Sequence, residues 1–162
     1  MIRILIALLF VLTSSPSFSQ NKNFYHPEAN AVEDIAAAVK KASAEHKFVL
    51  LQAGGNWCKW CIEFHRFCKA DAALDSMIQA NFIWYPLNYS KENRNEAIFE
   101  QYGFPQRFGF PVFIILNEKG ERIHTQNSSY LEDGKSSYDS KKVMEFLESW
   151  APAALDKNNY RQ

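Results

Sequence analysis

Six residues from Phe48 to Ala53, FVLLQA, form a continuous apolar run rich in Val and Leu and stopped by Gly54-Gly55. A run this short, bounded by glycines, predicts a strand buried on both faces, and such a strand needs packed layers above and below it. Directly beyond it stand two cysteines, Cys58 and Cys61, flanked by Trp57 and Trp60. Cys61, Phe64 and Cys68 then share one helical face. A second short helix is expected from Asp71, with Leu74, Met77 and Ile78 turned inward, and Phe82 to Tyr89 returns as a strand. Strand, crossover helix and parallel strand make a right-handed βαβ unit. Pro86 cannot donate a ladder bond, so one side of the second strand should be an edge.

The remaining pattern extends this α/β reading. Ile35, Ala38, Val39 and Ala42 recur at helical spacing and predict an amphipathic helix ending near His46. A helix is expected over Glu92 to Tyr102 and a strand over Val112 to Leu116. The turn Asn117-Glu118-Lys119-Gly120 then leads to a strand from Glu121 to Thr125. Gln126 to Asp139 reads as a polar loop, and Val143, Phe146, Leu147 and Trp150 give a closing helix that begins near Ser140 and stops before Pro152. With 162 residues, one domain is expected over 31–152. An exposed lead-in over 20–30 precedes it, and a tail over 153–162 is expected to fray.

The first nineteen residues read as an export signal. Arg3 supplies a short basic start, Ile4 to Leu12 is unbroken and apolar, and Ser17-Phe18-Ser19 offers small residues for cleavage. The apolar run is too short to span a bilayer, no later segment approaches the length, and no cysteine stands at the cleavage point for lipidation. The mature protein is therefore expected to be exported, to the periplasm, with no membrane span left after cleavage. Eighteen basic residues balance eighteen acidic ones, which argues against a polyanionic partner such as nucleic acid.

In an oxidising compartment three cysteines cannot be a framework of structural disulfides, and they divide into a close pair and a third, Cys68, on an apolar face. A cysteine in the first turn of a helix meets unpaired backbone N–H groups and the positive end of the helix dipole, which favour thiolate over thiol. Cys58 is the candidate nucleophile toward disulfides, and Cys61, one turn on, can attack the mixed disulfide that results. Lys59 adds a favourable charge, and Trp60 restricts access. Other readings of the same residues are a quiet disulfide, two buried thiols, or a zinc or copper site from Cys58, Cys61 and His65. Ile62 stands where haem attachment needs histidine. No cofactor is expected, and Cys68 reads as core.

The apolar strand, the Trp57-Cys58-Lys59-Trp60-Cys61 motif opening a helix, Phe110-Pro111 before a later apolar strand, and the turn at Gly120 together resemble the thioredoxin superfamily over Ala31 to Pro152. The resemblance implies a thioredoxin-like fold, a single domain with a central mixed β-sheet flanked by helices. It also implies a cis proline at Pro111 against the cysteine pair, with the backbone of Phe110 pairing to the substrate chain. Trp57, Trp60 and Phe110 would give that site an apolar rim, and Lys59 would border it. One residue departs from the pattern. Where thioredoxins keep a buried acid that moves the proton of the second cysteine, this chain has Gln52, and an amide is no general base.

The leading expectation is an extracytoplasmic protein-disulfide oxidoreductase working in the reducing direction, on protein disulfide and thiol substrates. Such a reductase needs an electron-donating membrane protein to recharge it, since no soluble reducing pool exists outside the cytoplasm. The alternatives are a client-binding module that keeps the fold without turnover, motivated by Gln52 and the aromatic rim, and a copper- or zinc-handling protein.

Overall fold

The computed structural model describes residues 23–161; the expected export signal lies outside them. The strands are β1, Phe48–Gly54; β2, Phe82–Asn88; β3, Val112–Leu116; and β4, Arg122–Asn127. They form one mixed sheet in the order β2-β1-β3-β4. β1 runs parallel to β2 and antiparallel to β3, which pairs antiparallel with β4. Pro86 lies on the edge strand, opposite Gln52, where its missing N–H can face outward.

The helices are α1, Ala31–Ala44; α2, Lys59–Ala70; α3, Ala72–Asn81; α4, Glu96–Gln101; and α5, Ser140–Ser149. All of β1 is buried, and its alternation divides the core in two. Phe48 and Leu50 join Phe113 and Ile115 of β3 beneath Phe64 and Cys68 of α2, Leu74 and Ile78 of α3, and Val143, Phe146 and Leu147 of α5. Val49, Leu51 and Ala53 face Ile35, Ala38 and Ala42 of α1 and Ile98 and Phe99 of α4. Successive residues of a strand point to opposite sides, so one apolar run serves both layers. A single domain with a thioredoxin-like fold is the outcome.

Four segments differ from expectation. The helix predicted over Glu92 to Tyr102 begins only at Glu96. Before it, Asn88 Nδ2 donates to the Asn93 carbonyl at 2.8 Å, Asn95 Nδ2 donates to the Asn88 carbonyl at 2.8 Å, and the Asn95 N–H donates to Asn93 Oδ1. Short polar side chains capture the backbone groups a helix would use. The loop expected from Gln126 continues β4 to Asn127, makes a 3₁₀ turn over Ser128–Leu131 and closes with a bridge between Glu132 and Tyr138. Leu131 and Tyr138 enter the core and anchor it.

The tail is ordered into two exposed turns, Pro152–Leu155 and Lys157–Tyr160, tied by the Tyr160 hydroxyl donating to the Ala154 carbonyl at 2.7 Å. In the lead-in, expected to be exposed, Tyr25 is fully buried. Its N–H donates to Asn56 Oδ1 at 3.1 Å and its carbonyl accepts from Asn56 Nδ2 at 2.8 Å. A single aromatic residue with both backbone groups satisfied can enter a core without burying unpaired polar atoms.

Candidate functional site

β1 delivers the chain at its carboxyl end to Gly54, and a four-residue loop carries it into α2. Cys58 is the N-cap of that helix, with extended backbone. Its N–H donates to the Gly55 carbonyl at 3.0 Å, and its sulfur accepts the Cys61 N–H at 3.2 Å. An N-cap side chain satisfies one of the orphan donors of the first turn. Here the acceptor is sulfur, so the same N–H and the helix dipole would favour negative charge on it. Cys58 and Cys61 are joined as a disulfide with Cα atoms 5.2 Å apart. Both cysteines are buried, Cys61 wholly and Cys58 with 6 % of its surface exposed.

Gly54 is needed for this arrangement. A Cβ there would stand 2.4 Å from Cys61 Sγ and 2.8 Å from the Tyr25 hydroxyl, closer than any side chain tolerates. The pair and Tyr25 form one small buried cluster against which Phe24, Trp60 and Phe110 pack.

Phe110, at the entry into β3, packs against this cluster, and its peptide bond to Pro111 is cis. The backbone N–H and carbonyl of Phe110 are unpaired among the described residues. Trp57 is 60 % exposed; its Nε1 donates to the Tyr89 carbonyl at 2.7 Å, and its ring meets Phe110 edge-on at 5.5 Å. Tyr89 lies against Phe110 at 5.0 Å. Trp57 and Tyr89 open onto a cleft of about 380 Å³ whose far wall carries Lys91, Glu92 and Arg94.

Trp60 also packs against the cysteine cluster. It packs edge-on to Tyr138, whose hydroxyl donates to the Trp60 carbonyl at 3.1 Å. Trp60 and Phe110 both pack against the cysteine cluster, and Trp57 joins the rim through its contact with Phe110. Lys59 is exposed.

His65 does not join the cysteines. Its ring stacks on Phe24 at 3.9 Å, and burial followed by the nearby Lys69 charge pushes its pKa below the usual imidazole value. Among the described residues no three His, Cys, Asp or Glu side chains are placed to hold a metal ion. Cys68 is buried in the core beneath α2, its thiol pKa pushed far up by burial and by Asp71. Gln52 lies directly under the pair. Its Nε2 donates to the Cys61 carbonyl at 2.8 Å and to the Tyr25 hydroxyl at 2.9 Å, while its Oε1 is buried without a partner.

Sequence reasoning missed Tyr25, Asn56, Tyr89 and Tyr138. Only Tyr25 carried a signal, as half of the aromatic pair Phe24-Tyr25 inside an otherwise polar stretch.

A family profile described as a thioredoxin-like domain matches residues 35–133. Among solved structures, a disulphide isomerase from Xylella fastidiosa is similar, with 22% identity, a TM-score of 0.67, and coverage of 77% of this chain and 94% of that one. The C-terminal domain of DsbD from Neisseria meningitidis, in its reduced form, aligns with 19% identity and a TM-score of 0.53, over 74% of this chain and 96% of that one. A thioredoxin from Thermus thermophilus aligns with 16% identity and a TM-score of 0.51, over 75% of this chain and 84% of that one. A search of curated proteins found no significant match.

Proposed function

The chain belongs to the thioredoxin-like domain family, and from that premise we propose that it is an extracytoplasmic thiol–disulfide oxidoreductase that reduces protein disulfides through Cys58 and Cys61. The observation that carries the reading is the place of the Cys58 sulfur. It caps α2, accepts the Cys61 N–H, and belongs to the less deeply buried residue of the pair. In the reduced protein the Cys58 thiolate attacks one sulfur of a client disulfide. A mixed disulfide forms, and the other client sulfur leaves as a thiolate and takes a proton from water. Cys61, deprotonated, then attacks Cys58 Sγ; the bond between Cys58 and the client breaks, and the second client thiolate departs. Two electrons pass to the client and the Cys58–Cys61 disulfide remains.

The client would lie along the Phe110-Pro111 turn. The unpaired Phe110 backbone supports main-chain pairing with an extended polypeptide, and the Trp57–Tyr89 cleft with its charged wall supports side-chain capture beside the disulfide. The signal read over residues 1–19 supports a periplasmic protein recharged by a membrane electron donor, and the DsbD and disulphide isomerase likenesses support the fold such a protein would use. No helix among the described residues is long and apolar enough to cross a membrane. The test is reduction of insulin by the mature protein with dithiothreitol as donor. Acceleration that vanishes in Cys58→Ser supports the reading, and activity unchanged by that substitution defeats it.

Gln52 favours a second reading, a client-binding module without turnover, because among the described residues no buried acid serves Cys61. That reading predicts a mature protein that binds unfolded chains equally well before and after Cys58→Ser and never accelerates insulin reduction.

A further inference from the structure

Resting on that reading, the question of what serves Cys61 has an answer in the N-terminal segment. Gln52 Nε2 has two hydrogens and gives both away, one to the Cys61 carbonyl and one to the Tyr25 oxygen. A carbonyl only accepts, so the amide cannot be turned the other way, and the Tyr25 oxygen must be the acceptor of its bond with Gln52. The phenol proton then has no acceptor among the described side chains and backbone groups. The hollow left by Gly54 is where it can go: the Cys61 sulfur and the Tyr25 oxygen lie 2.4 Å and 2.8 Å from the one point a Gly54 Cβ would occupy.

Tyr25 is held there from both directions. Its N–H and carbonyl are both bonded to the Asn56 side chain, in the very loop that leads to Cys58. The segment on either side is fixed by Phe24 stacked on His65 and by Asn93 Nδ2 donating to the Pro27 carbonyl at 3.0 Å.

We propose that Tyr25 is a positioning residue for the second half of the exchange, its hydroxyl donating a hydrogen bond to the Cys61 sulfur when that sulfur is a thiolate. Proton transfer is not its task. Burial raises its pKa well above 10, so the phenol keeps its proton throughout the neutral range and the Cys61 proton leaves to water. The hydrogen bond lowers the cost of holding Cys61 ionised while it attacks Cys58 Sγ and the client thiolate is expelled. Few other titratable groups face this sulfur. Cys58 stands at the N-cap; Lys59 is exposed; Glu63 of α2 is turned to Arg66 and Ser137; the Tyr138 hydroxyl is turned to the Trp60 carbonyl and Ser128. Beneath, β1 contributes Gln52, which does not titrate, and the Phe110-Pro111 turn contributes nothing.

The experiment is stopped-flow oxidation of the reduced mature protein by 5,5′-dithiobis(2-nitrobenzoate), in wild type and Tyr25→Phe, from pH 5 to 9. The first release of the nitrothiolate reports attack by Cys58 and the second reports attack by Cys61. Tyr25→Phe should leave the first phase within about twofold. It should slow the second about tenfold at pH 7 and raise its pH midpoint by about one unit, as expected for one hydrogen bond to a charged atom. A second phase with unchanged rate and midpoint overturns the role of Tyr25 and leaves the oxidoreductase reading intact. A wild type that lacks the second phase defeats the oxidoreductase reading itself, and the role of Tyr25 with it. Should Tyr25→Phe fail to fold, wild type carrying ¹³C-labelled tyrosine decides: the Tyr25 Cζ resonance must shift at the pH where the Cys61 Cβ resonance titrates, and a Tyr25 signal flat across that pH overturns the proposal.

Discussion

Replacing Gly54 by alanine should damage the protein through one methyl group. Gly54 does not have a positive φ, so the backbone accepts alanine and only space is in question. The new carbon would stand 2.4 Å from Cys61 Sγ, 2.8 Å from the Tyr25 hydroxyl and 3.2 Å from Cys61 Cβ. Neither nearest atom is the free end of a flexible side chain: the sulfur is bonded to Cys58 and the hydroxyl is held by Gln52. Overpacking a core costs about 1–3 kcal/mol, and two rigid contacts place this site at the upper end. The narrower unfolded ensemble of alanine returns about 0.4–1 kcal/mol. The net loss should be about 2 kcal/mol, a fall in Tm of roughly 6 °C for a chain of this size. Calorimetry of the oxidised protein measures it, and a double-mutant cycle identifies its source. In a Cys58→Ala/Cys61→Ala background the sulfur is gone and the hydroxyl can move into its place, so the same Gly54→Ala change should cost less than about 1 kcal/mol. An equal loss in both backgrounds, or a loss below about 0.5 kcal/mol in the native one, would refute the claim that Gly54 exists to seat the Cys61 sulfur.

Other expectations follow from the same contacts. Phe64→Ala removes a fully buried ring that packs on Phe113 at 4.3 Å and Tyr138 at 4.9 Å; chemical denaturation should show a loss of about 3–5 kcal/mol. Asp139→Ala removes the side chain that accepts the Lys141 and Lys142 N–H groups at the start of α5, and the same assay should show a loss of about 1 kcal/mol. Arg66, and then the Ser137 hydroxyl, hold the Glu63 carboxyl below its usual value of 4.5. A lowered carboxyl pKa gives stability that is complete above the unfolded value and lost as pH falls through the folded one. Thermal melts should therefore weaken below about pH 4.5, and less steeply in Glu63→Gln. Cys68, buried with a raised thiol pKa, should stay unlabelled when native reduced protein is treated with iodoacetamide and should label once the chain is unfolded.

Much of the fold could be read from local pattern because one short apolar run had to serve two layers. β1 could be placed from its glycine stop, β2 from its distance downstream, and the edge from Pro86. The start of α4 was hidden because the asparagines from 88 to 95 compete for backbone groups through contacts five and seven residues apart, which periodicity does not register. Leu131 and Tyr138 were hidden in polar company for a related reason: a segment can be anchored by two side chains without showing any period. At the site, Cys58 and Cys61 were legible as a motif and Phe110-Pro111 as a turn before β3, while the packing of Trp60 on Tyr138 joins positions far apart in the chain and left no local signal. Tyr25 lies 36 residues before Cys61 in the chain, and only the folded structure brings the two into one buried cluster. Gln52, read as a missing acid, donates to the Tyr25 hydroxyl and to the Cys61 carbonyl, two contacts the sequence could not show.

The central claim is that the Cys58 sulfur is held ionised at the head of α2. The direct measurement is the rate at which the reduced protein is alkylated by iodoacetamide as a function of pH, with the labelled residue identified by mass spectrometry. The account predicts that Cys58 is labelled, with a midpoint below about 7.5. A midpoint at or above the free-cysteine value of about 8.5, or label on Cys61 in place of Cys58, would contradict it.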